Sequence, residues 1–318
     1  MDTTAGHLGL WTLALDTQPA THVRELAAEI EELGFGAVWI GEEFGRNALT
    51  QAGILLGATN RLVVGTGIAN IFFRDPIAMS AAERSLAEAY PGRFILGLGG
   101  HRVDDRPLTY LGHRVPSAGR AVSTMGAYLD AMDAVPLQSP PPPIPNRRVL
   151  GALGPKMLKL AAARTSGALP YLVPVAHTED ARTRLGPDAL LAVEQAVVLD
   201  PDPDAARDLA RAHVGAYLTA GGAHVKDMLR FGYTNDELSG TPADRVVDAL
   251  VAGGGRGSLD AIAERVRAHL DAGADHVCLQ VLTGRPGAAP IAEWRELARL
   301  VTPPRQTTAT RATKPSNR

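Results

Sequence analysis

Leu62-Val63-Val64-Gly65-Thr66-Gly67-Ile68-Ala69-Asn70 passes from three apolar residues straight into small and polar ones. A strand that ends this way brings bare backbone to the rim of a sheet, where a large planar ligand can lie against it. Two readings stay open from these residues alone, a cofactor seat or a tight turn out of a buried strand.

The rest of the chain supplies the context. Short runs rich in Val, Leu and Ile alternate with helical patterns, the signature of parallel strands covered by helices. Eight strands are expected, at Leu8 to Leu15, Ala37 to Ile40, Leu62 to Ile68, Phe94 to Leu98, Arg148 to Ala152, Leu169 to Val173, Leu191 to Leu199 and His276 to Leu282. Between the first two, Val23, Leu26, Ala27, Ile30 and Leu33 recur at helical spacing and stop at Gly34. Pro76 to Tyr90 repeats the theme and ends before Pro91-Gly92. Eight such units fit an α/β fold of the (β/α)8 TIM-barrel type better than an open doubly wound sheet.

Two segments break the rhythm. Ser139 to Pro145 reads as a stiff spacer. Between the seventh and eighth strands lie about 75 residues with several helical patterns, far more than one crossover needs. This helical insertion is expected over the barrel mouth, the alternative being that it thickens the wall. Residues 1–302 are expected to form a single domain, and 303–318, without apolar periodicity, a disordered tail.

Composition narrows the function. The 318 residues include 32 basic and 34 acidic ones, interspersed, with a formal charge of −2. No single-sign field exists to capture nucleic acid or an anionic membrane. Cys278 is the only cysteine, which rules out a disulfide framework or a cysteine-rich metal site and suits a reducing, cytoplasmic location. No signal-type segment or bilayer-length apolar run is present. Asp200-Pro201-Asp202-Pro203-Asp204 fails as a calcium loop, because Ala205 and Arg211 stand where glycine and a carboxylate are required, and reads as helix capping. Gly97-Leu98-Gly99-Gly100-His101 lacks the third glycine of a dinucleotide fingerprint.

In a parallel barrel the strand C-termini converge on one mouth. Here they bring Glu42-Glu43, Gly67 to Asn70, Gly99 to Arg102, and Leu153-Gly154-Pro155-Lys156 together. The last ends a strand and opens a helix, so its amides and Lys156 suit a phosphate, although an ordinary Pro-initiated helix has the same look. Paired acids such as Glu42 and Glu43 usually mark a solvated loop; at a mouth they become candidates for proton transfer or for hydrogen bonds to a cofactor ring. Gln280 is polar amid an apolar strand, and either lines the interior with a partner or faces the ligand.

Gly34 to Ile40, Val64 to Ile68 with Arg74-Asp75-Pro76, Pro91 to Gly99, Gly151 to Pro155 and Ala272 to Val277 occur in an order that resembles the bacterial luciferase-like superfamily, within it the branch of coenzyme F-420 (deazaflavin)-dependent oxidoreductases. The resemblance implies a non-prolyl cis peptide at Gly67-Ile68, in a bulge behind the flavin-type ring. It places cofactor contacts at Gly67, Ile68, Gly100, His101, Arg102, Leu153, Gly154 and Pro155, with Lys156 adjacent. Beside these, Glu42 and Ala69 are further candidates for cofactor contacts, and Trp11, His177 and Gln280 are candidates for the substrate pocket. Sugar-phosphate dehydrogenases of this branch carry an Asp-His pair after the second strand. Glu42-Glu43 stands there instead, so that mechanism does not carry over and Glu43 becomes the candidate proton donor.

The expected activity is hydride transfer between carbon 5 of the deazaflavin and a small organic substrate. The alternatives are an FMN-dependent luciferase-like monooxygenase and a non-catalytic barrel with a degenerate site. Homodimers are common in the family, and nothing in this sequence decides the point.

Overall fold

The computed structural model describes residues 6–100, 109–110, 113–114, 121–219, 222–285 and 287–301. His101, Arg102 and the tail lie outside these residues.

Eight parallel strands close on themselves: β1 (Leu8–Thr12), β2 (Ala37–Ile40), β3 (Val63–Thr66), β4 (Phe94–Gly99), β5 (Arg147–Leu150), β6 (Gly167–Ala168), β7 (Leu190–Val198) and β8 (His276–Val281). Each pairs with its neighbour in chain order, and β8 returns to β1 with Leu8 opposite Val277. The result is a (β/α)8 TIM barrel. Its outer layer includes α1 (Ala20–Glu32), α2 (Ala48–Gly57), α3 (Pro76–Ala89), α4 (Ala121–Asp133), α5 (Pro155–Arg164) and α6 (Val175–Leu185). Helix α1 buries Val23, Leu26, Ala27 and Ile30 and gives way to Gly34 at φ +90°, a conformation that favours glycine. Asp75 caps α3 by accepting from the Ala78 amide at 3.0 Å.

Strand lengths differ from the sequence expectation where the chain turns early. β1 stops at Thr12, whose hydroxyl accepts from the Ala14 amide at 3.0 Å. β6 is Gly167–Ala168, wholly before the Leu169 to Val173 strand expected from the sequence, because Pro170 has no amide to extend the ladder. The chain leaves the barrel there, and Leu172 adopts φ +51°, strained for a residue with a branched side chain. β3 bulges at Gly67-Ile68 and resumes as Ala69–Asn70 against Leu98–Gly99. The Gly67-Ile68 peptide is cis.

The segment between β7 and β8 folds into α7 (Pro203–Thr219), α8 (Ala223–Arg230), α9 (Asn235–Leu238), α10 (Asp244–Leu250) and α11 (Ser258–Asp271), with Val251–Gly253 added to the end of β7. Val214, Leu218 and Met228 pack on Leu172, Ala196 and Val198, which puts part of this segment above the β6–β7 side of the mouth. Asp202 caps α7, its carboxylate accepting from the Asp204 amide at 3.0 Å. α12 (Ile291–Leu297) follows β8. No helix among the described residues is long and apolar enough to cross a membrane.

Two tryptophans fill the barrel interior from one level, since Trp11 and Trp39 are register partners on β1 and β2. Trp39 reaches toward the strand starts, where its Nε1 donates to His276 Nε2 at 3.1 Å. Gly65 clears its path, because a Cβ there would lie 2.3 Å from the indole. Trp11 reaches the other way, toward the mouth.

Candidate active site

At the mouth, Trp11 Nε1 donates to the Gly67 carbonyl at 2.8 Å. A Cβ on Gly67 would stand 2.7 Å from that nitrogen and 3.1 Å from Leu169, so only glycine fits beneath the bulge. The Ile68 side chain spreads over the neighbouring strands. A Cβ at Gly99 would meet it at 2.7 Å and one at Gly151 at 3.2 Å. Gly100 is cleared in the same way for the ring of Phe72. The bulge is thus a low backbone ledge, wedged by Ile68 between the ends of β4 and β5.

Glu42 holds this ledge in place. Its buried carboxylate accepts from the Ala48 amide at 3.0 Å and the Asn70 amide at 2.9 Å, and forms an ion pair with Arg74. Both oxygens are engaged in tying the loop after β2 to the end of the bulge. Glu43, the next residue, is exposed at the rim beside the exposed Phe44. Its charge contributes a minor part of the upward pKa shifts of Asp16 and Tyr217.

The turn after β5 presents an open helix start. Gly154 caps α5 without a side-chain hydrogen bond, Pro155 is the first helical residue, and a Cβ on Gly154 would touch nothing. Lys156 is exposed alongside. His177 supports the loop from beneath: it is fully buried and its Nε2 donates to the Leu153 carbonyl at 2.9 Å. Burial depresses its pKa to about 4, so the ring is neutral. The placement corrects the expectation of a substrate contact, because no surface of His177 reaches the mouth.

Gln280 does line the mouth, with a partner. Its Oε1 accepts from the Tyr171 hydroxyl at 2.6 Å, and Tyr217 donates to the same hydroxyl at 2.9 Å. Tyr171 is the centre of an aromatic group, its ring centroid 5.2 Å from Trp11, 5.1 Å from Tyr217, 6.5 Å from His213 and 6.4 Å from His224. Below it, Glu194 is wholly buried and accepts from the Leu172 amide at 2.8 Å, holding the strained turn that carries Tyr171. Its other oxygen has no partner. Burial raises its pKa to about 8, and the Leu172 amide opposes this less strongly, so the carboxyl is protonated at neutral pH. Asp16, half-buried beside the loop after β2, is raised to about 6, first by burial and also by Glu42 and Glu43.

The sequence reading passed over Asp16, Tyr171, Glu194, His213, Tyr217 and His224. Glu194 carried a usable signal, a lone charge inside the apolar run Leu191 to Leu199, the same signal that singled out Gln280. Asp16 directly follows the first apolar run. His213 and Tyr217 are four apart on α7 and reach the mouth only through the packing of the long segment after β7.

The sequence profile of the luciferase-like monooxygenase family matches residues 4–103, which include β1 to β4 and the bulge. That match covers about a third of the chain. The chain is also 30% identical, over 51% of its length, to a Mycobacterium tuberculosis protein named as a coenzyme F-420-dependent oxidoreductase. It is 29% identical, over 60% of its length, to 5,10-methylenetetrahydromethanopterin reductase of Archaeoglobus fulgidus. These matches span 53% and 64% of the relatives' own lengths. Among solved structures, the barrel superposes on an F-420-dependent secondary alcohol dehydrogenase in complex with an F-420–acetone adduct, with TM-score 0.67 and 17% identity over 94% of this chain and 99% of that one. It superposes comparably on the FMN-bound oxygenating constituent of 3,6-diketocamphane monooxygenase from Pseudomonas putida, with TM-score 0.65 and 14% identity over 93% and 96% of the two chains.

Proposed function

We propose that this luciferase-like barrel is an oxidoreductase that seats coenzyme F-420 at its mouth and moves a hydride between carbon 5 of the deazaflavin and a small organic substrate. One observation carries the reading. The backbone ledge at Gly67-Ile68 and the open helix start at Gly154 share one mouth, joined through Ile68 against Gly151. A flat ring suits the first and an anionic tail the second.

When bound, the deazaflavin supplies the hydride chemistry. The chain's own residues orient and enclose it. Gly67, Ile68 and Ala69 back the ring, braced by Glu42. Leu153 and Gly154 offer amides to phosphate on the turn that Pro155 shapes, with Lys156 adding its own amide and a positive charge and Gly100, His101 and Arg102 completing the cofactor contacts. Trp11 closes the floor and keeps water from below. Proton delivery is assigned to Glu43 at the rim, with Asp16, raised to about 6, as the second acid for that task.

The experiment is an equilibrium titration of the purified chain with F-420 and with FMN. F-420 is expected to bind the more tightly; tight binding of FMN alone would make the chain an FMN-dependent monooxygenase, and binding of neither would leave a non-catalytic barrel. Gly154→Asp keeps the helix, since Asp is a good N-cap with open space around it, yet sets a negative charge against the phosphate site. It should weaken F-420 by about tenfold or more.

A further inference from the structure

Beside Trp11 lies a cleft of about 480 Å³ between the ends of β1 and β8 and the flank of α7. This is within the range of small-molecule sites. Trp11 forms one wall and Leu209 and Leu282 belong to the apolar lining, while the polar side chains include Gln280 and His213. Because the same indole is bonded to the Gly67 carbonyl, whatever occupies the cleft adjoins the ledge.

The polar groups are neutral and partly unused. Gln280 spends its carbonyl oxygen on Tyr171, and among the described residues its Nε2 has no partner, leaving two donor hydrogens. His213 Nε2 is buried without a partner. Burial depresses this histidine to about 4, so at neutral pH it is an uncharged ring that donates from Nε2 in one tautomer. Arg285, on the cleft edge, is already paired with Glu293. A charged ligand entering here would lose its hydration and find no free counter-charge among the described residues. A carbonyl oxygen would find two donors, and a flat body would find aromatic faces.

We propose that this cleft is the substrate subsite and selects an uncharged, flat carbonyl compound, its oxygen held between Gln280 Nε2 and His213 Nε2. The assignment deepens the hydride-transfer reading and rests on it for the reaction; occupancy of the cleft is measurable without any cofactor.

The test is a ligand-observed NMR titration of the full chain with three probes of similar shape: acetophenone, ethylbenzene, which lacks the oxygen, and 4-acetylbenzoate, which adds a charge. Acetophenone is expected to bind about tenfold more tightly than either of the others. Ethylbenzene binding as tightly would overturn the role of the two donors. So would failure of acetophenone to bind, and 4-acetylbenzoate binding equally well would overturn the exclusion of charge. Gln280→Met and His213→Phe should each weaken acetophenone by about tenfold and leave ethylbenzene within about twofold. A variant that does not fold is recognised by the loss of its thermal transition, and the wild-type series still decides. Loss of F-420 binding by the wild type would remove the hydride-transfer reading without touching the ketone series.

Discussion

Trp11 and Trp39 begin as equals, opposite each other in register and both buried, yet they close opposite ends of the barrel in different ways. Below, Trp39 donates to His276, whose Nδ1 donates to the Gly6 carbonyl at 2.8 Å, and Gly9 is cleared for that ring. Every polar atom of that plug has a partner. Above, Trp11 leads into a neighbourhood where Glu194 Oε1 and His213 Nε2 are buried with nothing to bond. Buried polar groups are ordinarily paired, so the two ends differ in how fully they satisfy their polar atoms. The lower plug is closed in this sense, and the upper end, where the proposed cofactor and substrate meet, is not.

The sharpest way to break this contrast is to remove one indole nitrogen at a time. Trp39→Phe should cost about 3 kcal/mol, from lost volume and from stranding His276 Nε2 in a dry interior, read as a thermal midpoint lowered by roughly 5 °C. A loss below about 1 kcal/mol would show that the lower plug is not structural. Glu194→Gln comes next and is best read through pH. The native carboxyl holds its proton up to about pH 8, whereas the unfolded one releases it near 4.5. The stability it contributes is therefore complete below about 4.5 and is lost as pH climbs to 8. His276, depressed to about 4, works the other way, its contribution being present above 6.5 and lost as pH falls toward 4. Between pH 6.5 and 8 the imidazole contribution is flat, so wild type should lose about 2 kcal/mol there and Glu194→Gln almost none. Chemical denaturation at the two pH values gives the answer.

Trp11→Phe should cost only about 1 kcal/mol, since the stranded Gly67 carbonyl lies at the mouth rather than in the dry interior. Its mark should fall on recognition, with F-420 weakened by about tenfold in a fluorescence titration. The smallest effect belongs to Asp16→Asn. Asp16 is half-exposed, so its raised pKa, discounted for solvent, amounts to roughly 1 kcal/mol of stability lost by the wild type between pH 4 and 6. The variant should be flatter across that window in thermal melts.

Much of the architecture is legible in the sequence because parallel strands write themselves as apolar runs and their ends as breaks in those runs. Ala37 to Ile40 matches β2 end to end, and Gly67, Gly99 and Gly154 all fall at strand ends that line the mouth. What stays hidden comes from tertiary packing. His177 stands near a strand end in sequence, but nothing local says that it points under the loop. Tyr217 and His213 ride on a helix whose pattern shows a buried face without naming what that face meets. Glu42 and Glu43 are adjacent and alike in sequence, and only the fold separates a brace from a rim acid.

The wedge formed by Ile68 has a consequence for how such a site can change over generations. Its side chain occupies space vacated by Gly99 and Gly151, which belong to two other strands. A larger residue at either glycine collides with Ile68, and trimming Ile68 alone leaves a void. Descendants of this chain can therefore reshape the ledge only by paired steps that pass through a weakened intermediate, whereas the wall around Gln280 and His213 can be altered one residue at a time. The ledge is fixed by interlock, and the wall around Gln280 and His213 is not.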